Sequence, residues 1–366
     1  MRPKPVAYFL CAVSLLLIAV CPLMLQSDIE AAEAGPYKGV LTLWHITGWR
    51  AGTPSFEAYL RGRIRSFEAA YAYAFIELKS LTVTEAAEAL AAGEAPDIIS
   101  YPRGLDTGIA LANLPGADTA LPCESNSWPY ACGGYCALIN TDLLSDQGAE
   151  IPDAGWGIRP EALIAAAAFG TAFDAETGSS ALPALALHGY PESDEPKLST
   201  WNVPEPEAML SLSSVQLENG LDTFLSGKCA VLIASHRQLA EAQKAYMDGD
   251  GPSFLSYAIG GYTDMVQMIG VAATEDEKKL AACTAFARVL LTGSSQRALE
   301  SYGLLPAVAG VEIYAEDECR RTMYELLCED PALPYGDEAQ ALDLLAAKAL
   351  GGDAAAFKSL RAKLNA

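Results

Sequence analysis

The chain has 366 residues, a mean hydropathy of +0.17 and a formal net charge of −22, with 46 Asp and Glu against 24 Lys and Arg. The acidic excess argues against a nucleic-acid binder, because phosphates would repel it. The length allows two domains of ordinary size once the N-terminus is set aside.

Arg2 and Lys4 precede an uncharged stretch from Pro5 to Ser27 that holds Phe9 and Leu15 through Ile18, the n-region and h-region of an export segment. Cleavage after Ala32-Glu-Ala34 fits an A-x-A site, and an uncleaved run of about 20 apolar residues can span a bilayer. Lipid attachment at Ile18-Ala-Val-Cys21 is the weaker reading, because Val20 stands where such a site takes Gly, Ala or Ser. Residues 1–34 are therefore read as a signal peptide or membrane anchor. The working domain is expected outside the cytoplasm, at the cell surface or in the periplasm, and no later segment is apolar enough for a second span.

Val40-Leu-Thr-Leu-Trp44 alternates and predicts a strand. From Ser55 to Ala72, Phe56, Tyr59, Leu60, Ile64 and Phe67 fall on one face of a helix. A second strand follows at Ala74-Phe-Ile-Glu-Leu, a helix opens at Thr84, and Asp97-Ile-Ile-Ser enters a third strand. Strands alternating with helices predict a parallel sheet covered on both faces, with ligands beyond the carboxyl ends of its strands. Those ends carry Trp44, His45 and Trp49, then Tyr101 and Arg103. Ala91-Ala-Gly-Glu-Ala-Pro-Asp97 reads as a helix end and strand start, with Gly93 as left-handed cap and Pro96 as stop. The same punctuation recurs at Ser226-Gly-Lys228, between a helix over 215–225 and a buried strand over 230–233. A strand over 137–140 follows the paired glycines Gly133 and Gly134, and Gly260 and Gly261 precede an apolar stretch from Met265 to Val271. The C-terminal part predicts helices over 313–327 and 338–364.

Seven cysteines lie beyond the export segment: Cys123, Cys132, Cys136, Cys229, Cys283, Cys319 and Cys328. An odd number does not complete a disulfide framework. Cys229 and Cys283 read as core residues, and Cys132 can approach Cys136 or Cys123. No zinc spacing surrounds them, the histidines at 45, 188 and 236 lack metal-ligand spacing, and no metal or cofactor is expected. H-E-x-x-H, G-x-S-x-G, P-loop and G-x-G-x-x-G motifs are absent, and no glycosidase carboxylate pair can be named among so many acidic residues. An enzyme is not the expected reading.

Five segments in order carry a resemblance that spans nearly the whole chain after the export segment. They are Leu41-Thr-Leu-Trp-His-Ile-Thr-Gly-Trp49, Ala91-Ala-Gly-Glu-Ala-Pro-Asp-Ile-Ile99, Tyr135-Cys-Ala-Leu-Ile-Asn-Thr-Asp-Leu-Leu144, Phe224-Leu-Ser-Gly-Lys-Cys-Ala-Val-Leu-Ile233 and Ser295-Gln-Arg-Ala-Leu-Glu-Ser-Tyr-Gly-Leu-Leu-Pro306. Together they resemble the extracellular solute-binding proteins of ABC importers, in the sugar-binding branch typified by maltose-binding protein. The resemblance implies an α/β, two-lobed periplasmic-binding-protein-like fold with an interlobe hinge and a ligand cleft. Residues 35–130 and 262–306 would form the first lobe, and 131–261 and 307–366 the second. The stretch from Ser145 to Leu221 is shorter than its counterpart in that branch and contains the polar loop 191–196.

The implied partners are a small polar solute, in the first place a carbohydrate, and the transmembrane subunits of an ABC permease. The protein would act as a monomer, touching the membrane only through its N-terminal segment. A sugar site combines flat aromatics with planar polar groups. The candidates are Trp44, His45, Trp49, Tyr101, Arg103, Tyr130, Tyr135, Trp201, His236, Arg237 and Tyr262, with Trp156 assigned to packing. Of these, His236 and Arg237 stand where the family places a cleft loop. Trp44→Ala is expected to weaken binding and spare stability. The alternatives are a surface or interaction protein of the same fold without a transport role, and a receptor for a non-sugar solute.

Overall fold

The alternation of Gly-Val-Leu-Thr-Leu-Trp-His-Ile places Leu41 and Leu43 on one face and Trp44 and Ile46 toward the other, and both faces of this strand, β1 (Gly39–Ile46), become covered toward its carboxyl end. The computed structural model describes residues 37–49, 51, 54–152, 165–173, 219–259, 263–329, 341–342, 344–346, 348–349 and 353–364. The export segment, Trp156, the 191–196 loop, Trp201, Gly260, Gly261 and Tyr262 lie outside the described residues.

Helix α1 (Phe56–Ala70) starts at Ser55, whose hydroxyl accepts from the Ala58 amide at 3.3 Å, and it buries all five residues of its predicted apolar face. Each such side chain contributes roughly 1.5–3 kcal/mol on burial. Strand β2 (Ala74–Leu81) pairs in parallel with β1 along its whole length. Helix α2 (Val83–Ala91) begins one residue earlier than its Thr84 signal, because Thr82 and Glu85 close a reciprocal capping box. Gly93 ends it at φ +84°, as predicted, and β3 (Ile98–Pro102) pairs in parallel with β1.

The sheet departs from the all-parallel expectation at this point. Strands β4 (Ser127–Cys132) and β9 (Val266–Val271) are antiparallel neighbours, β9 is antiparallel to β3, and the short β10 (Leu305–Pro306) closes on β4. The order is β10-β4-β9-β3-β1-β2, a mixed sheet whose centre is filled by a strand from late in the chain. Helix α6 (Glu277–Leu291) packs beside α1, with Phe286 edge-on to Phe67 at 5.6 Å.

A second sheet has the order β6-β7-β5-β8, from β5 (Tyr135–Asn140), β6 (Thr171–Phe173), β7 (Val231–Ser235) and β8 (Phe254–Ala258). Its helices include α3 (Thr141–Asp146), α4 (Gly220–Leu225), which ends at Gly227 with φ +71°, and α5 (His236–Asp248). Among the described residues the chain passes from the first sheet to the second at Gly133-Gly134, between β4 and β5. It returns between β8 and β9, and leaves again after β10 into α8 (Glu318–Glu329). The predicted start of that helix at Ile313 is not observed. Tyr314 takes φ +56°, and Asp317 caps the helix by accepting from the Arg320 amide at 3.0 Å. Helix α9 (Ala354–Leu364) follows.

One buried amide holds the crossings together. Gln296, in α7 (Gly293–Ala298), donates to the carbonyls of Tyr130 (2.8 Å) and Leu290 (2.7 Å) and accepts from the amides of Ala307 (2.9 Å) and Val308 (3.3 Å). It thereby ties β4 to the chain leaving β10.

Candidate functional site

The carboxyl ends of β1 and β3 lie side by side, and the loop after β1 crosses close over the end of β3. A Cβ on Gly48 would stand 2.5 Å from Pro102 Cγ, so only glycine fits there. This close approach sets Trp49 beyond the strand ends. From the second sheet, Ser235 caps α5 in a box with Gln238, which makes His236 the first residue of the helix. The His236 amide donates to Gly134 O at 2.8 Å, and its ring lies over Gly133, where a Cβ would stand 2.5 Å from the His236 Cε1 atom.

Trp49 and His236 meet. Their ring centroids are 5.7 Å apart at 82°, an edge-on contact between the loop after β1 and the helix after β7. The contact extends into the first sheet through Phe56, which is 5.3 Å from Trp49, 5.1 Å from His45 and 5.8 Å from Tyr130. Trp49 is 4 % exposed and His236 is 0 % exposed, yet Trp49 Nε1 is buried without a hydrogen-bond partner, and the His236 ring has only the Gly134 carbonyl to share between its two nitrogens. Nitrogens left under-bonded on both sides of one buried contact are unusual, since buried polar groups are almost always paired. The His236 imidazole is held neutral. Burial, the Arg320 and Arg237 guanidiniums and the positive end of α5 all oppose its protonation, and its pKa falls to about 3.

Behind this contact lies a polar network centred on a hydroxyl with three partners. Ser100 Oγ is 3.0 Å from His45 Nδ1, 2.8 Å from Tyr130 Oη and 3.0 Å from Gln267 Nε2, which also donates to Ile46 O at 3.2 Å. A hydroxyl has one donor and two acceptor sites. Gln267 therefore donates to Ser100, and the hydroxyl fills its remaining two places by donating to one of His45 Nδ1 and Tyr130 Oη and accepting from the other. Burial lowers the His45 pKa to about 4, against the opposing pull of Glu57.

The other predicted residues are distributed around these two clusters. Trp44 is 1 % exposed among Ile46, Ile99, Tyr101 and Leu121, and its Nε1 also lacks a partner. Its burial revises the expectation that truncation would spare stability. Tyr101 is buried opposite Met268, and burial raises its hydroxyl pKa. Tyr130 is fully buried and stacks on Tyr59, 6.4 Å apart at 12°. Tyr135 is buried and donates to Asp264 Oδ1 at 2.8 Å. Arg103 is half-buried, 3.5 Å from Glu124, and Arg237 pairs along its helix with Glu241. The structure thus brings Trp49 against His236 and joins His45 to Tyr130. Ser100, Gln267 and Phe56 were missed. The polar Gln267 inside the apolar run from Met265 to Val271 is the signal that marks a buried amide with a task.

Among the described residues, no cluster of three His, Cys, Asp or Glu is placed to hold a metal ion, and no helix is long and apolar enough to cross a membrane.

No protein-family model and no curated protein sequence matches the chain. Solved structures do. An ABC substrate-binding protein of Listeria monocytogenes, solved with cycloalternan, aligns with a TM-score of 0.59 at 16 % identity over 90 % of this chain and 98 % of its own. A putative oligosaccharide periplasmic-binding protein from Synechococcus gives 0.59 at 15 %, over 89 % and 98 %. The GacH receptor of Streptomyces glaucescens, solved unliganded and with acarbose, gives 0.57 at 18 %, over 90 % and 98 %. The fold of this chain is that of the two-lobed periplasmic binding proteins.

Proposed function

We propose that the protein is the extracytoplasmic substrate-binding component of an ABC transporter, which closes over a carbohydrate between its two sheets and presents it to a permease. The observation that carries this reading is the Trp49–His236 contact, where elements of the two sheets meet, the indole nitrogen has no partner and the imidazole has only the Gly134 carbonyl. A neutral imidazole offers one donor and one acceptor, and an indole adds a donor beside a flat apolar face. A sugar hydroxyl and the C–H face of its ring match that set. The fold's relatives support the assignment, since those named above were solved with, or described as binding, oligosaccharides or acarbose.

In this reading the lobes are 35–130 with 262–306, and 131–261 with 307–366, hinged at Gly133-Gly134. Trp49 and His236 are the primary ligand contacts. Tyr101, Arg103, Tyr135 and Arg237 form the surrounding shell, Trp44 backs it from the core, and His45 and Tyr130 brace it through the buried network. The protein is a monomer, performs no chemistry and is held outside the cytoplasm by, or released from, residues 1–34.

A thermal-shift screen of the protein against mono- and oligosaccharides, amino acids, polyamines and metal ions tests it. A ligand of the folded state raises the melting temperature with its concentration. The expected result is a saturable shift with one oligosaccharide class, its affinity reduced about tenfold or more in Trp49→Ala and in His236→Ala. A folded sample that responds to nothing in the panel, or only to a non-sugar, overturns the carbohydrate reading. Unchanged affinity in both variants moves the site elsewhere.

A further inference from the structure

Seven cysteines lie among the described residues, and none is joined in a disulfide. Four of them gather where α8 covers the first crossing: Cys132 ends β4, Cys136 lies in β5, and Cys319 and Cys328 sit near the two ends of α8. Contacts without sulfur–sulfur bonding fix the helix there. Arg320 pairs with Asp317 at 2.5 Å, donates to His236 O at 3.2 Å and lies 5.6 Å over the Tyr314 ring. Met323 closes against Gly134, where a Cβ would stand 3.1 Å from its sulfur. Cys319, one residue before Arg320, is thereby set over β5 in the same buried cluster as Cys136, with the two thiols close enough to interact.

The remaining cysteines are engaged differently. Cys132 donates to the carbonyls of Leu305 (3.6 Å) and Pro306 (3.4 Å), which turns it toward the third crossing. Cys123 bonds Thr119 Oγ1 and Ala117 O in the loop before β4. Cys229 enters β7, and Cys283 lies on the buried face of α6.

We infer that Cys136 and Cys319 are a disulfide-forming pair, closed as the chain folds in the presence of a disulfide-bearing oxidant, and that the bond staples α8 to β5. One thiolate attacks the S–S bond of the oxidant and expels one thiol, leaving a mixed disulfide on the protein. The second thiolate attacks the protein-side sulfur and expels the other. Two protein thiols give up two electrons and two protons, and the oxidant leaves as two thiols. In the folded chain burial holds the Cys136 thiol protonated, which confines the exchange to folding or to opening of the chain. The bond joins two elements on the same side of Gly133-Gly134, so it stiffens the second sheet's helical cover and leaves the hinge free. It also constrains a long loop of the unfolded chain. The inference is independent of what the cleft binds.

The test refolds the reduced full chain with mixed oxidised and reduced glutathione, blocks residual thiols after denaturation and maps peptides without reduction. The expected result is a linked pair of peptides carrying Cys136 and Cys319. The melting midpoint should lie roughly 5–10 °C above that of the reduced protein, with the gain absent in Cys319→Ser. Recovery of Cys136 and Cys319 as blocked thiols from folded protein overturns the inference, as does a link from Cys136 to any other cysteine. Should Cys319→Ser fail to fold, the wild-type peptide map alone decides.

Discussion

Two buried polar clusters lie on either side of Phe56, and they differ in one respect. Around Ser100, the His45, Tyr130 and Gln267 side chains leave no bond of the hydroxyl unmade, whereas the Trp49 indole has none and the His236 ring has only the Gly134 carbonyl. A satisfied network rigidifies the strand ends and is costly to break, while an unsatisfied one is costly to keep. The first cluster is read as scaffold and the second as the place a ligand completes. Burial does not separate them, since His45 and His236 are equally enclosed; hydrogen-bond accounting does.

The sharpest way to break this division is Trp44→Ala. Its buried ring makes truncation cost about 3–5 kcal/mol, read as a lowered denaturant midpoint. A loss below about 1 kcal/mol would move Trp44 from the core to the ligand shell. Gln267→Leu removes the donor to Ser100 and to Ile46 O, and is expected to cost about 2 kcal/mol while leaving ligand affinity near wild type. A selective loss of affinity at intact stability would make the network part of the site.

Acidification probes both clusters at once. The folded-state pKa values of His45 and His236 lie at about 4 and about 3, below the ordinary value of 6.5, so the unfolded chain takes up protons first. Their contribution to stability is complete above about pH 6.5. It is lost as the pH falls toward 4 and then 3, at up to about 1.4 kcal/mol per pH unit for each histidine. Melting curves between pH 7 and 4 should show that decline, and His236→Phe should reduce it by about half. An unchanged slope in that variant would place the titrating group elsewhere. The smallest effect belongs to the exposed pair Arg61–Glu57, where Arg61→Ala should change stability by no more than about 0.5 kcal/mol. A larger loss would tie Glu57 to the charge balance of His45.

Much of the fold was legible because it depends on local pattern. The five buried residues of α1 follow helical spacing, and Gly93 and Gly227 both terminate helices with positive φ, as their Gly-to-strand punctuation predicts. Strand neighbours are another matter. Nothing local in residues 266–271 indicates that they pair with both β3 and β4, so the sheet was expected to be parallel and is mixed. The start of α8 was misplaced because an apolar pattern from Ile313 continues through a residue with a left-handed backbone, and the capping Asp317 is the better signal. For the site, an aromatic at a strand end is visible in sequence, but the direction of its ring is not. Tyr101, Tyr130 and Tyr135 all turned inward, and only the structure distinguishes the bonded hydroxyls of Tyr130 and Tyr135 from the under-bonded nitrogens of Trp49 and His236.

The central position of β9 has a consequence for how the molecule is made. Its two neighbours, β3 and β4, are both complete before any of the second sheet exists, and β9 follows only after β8. A chain emerging from its N-terminus therefore carries half a sheet with two open edges until the second sheet has been synthesised. Pairing that waits on so distant a segment is slow, and open edges invite association with other chains. A polypeptide stopped short of Val266 would expose the apolar faces of Ile98, Ile99 and Trp128 and would be a substrate for chaperones rather than a smaller folded domain.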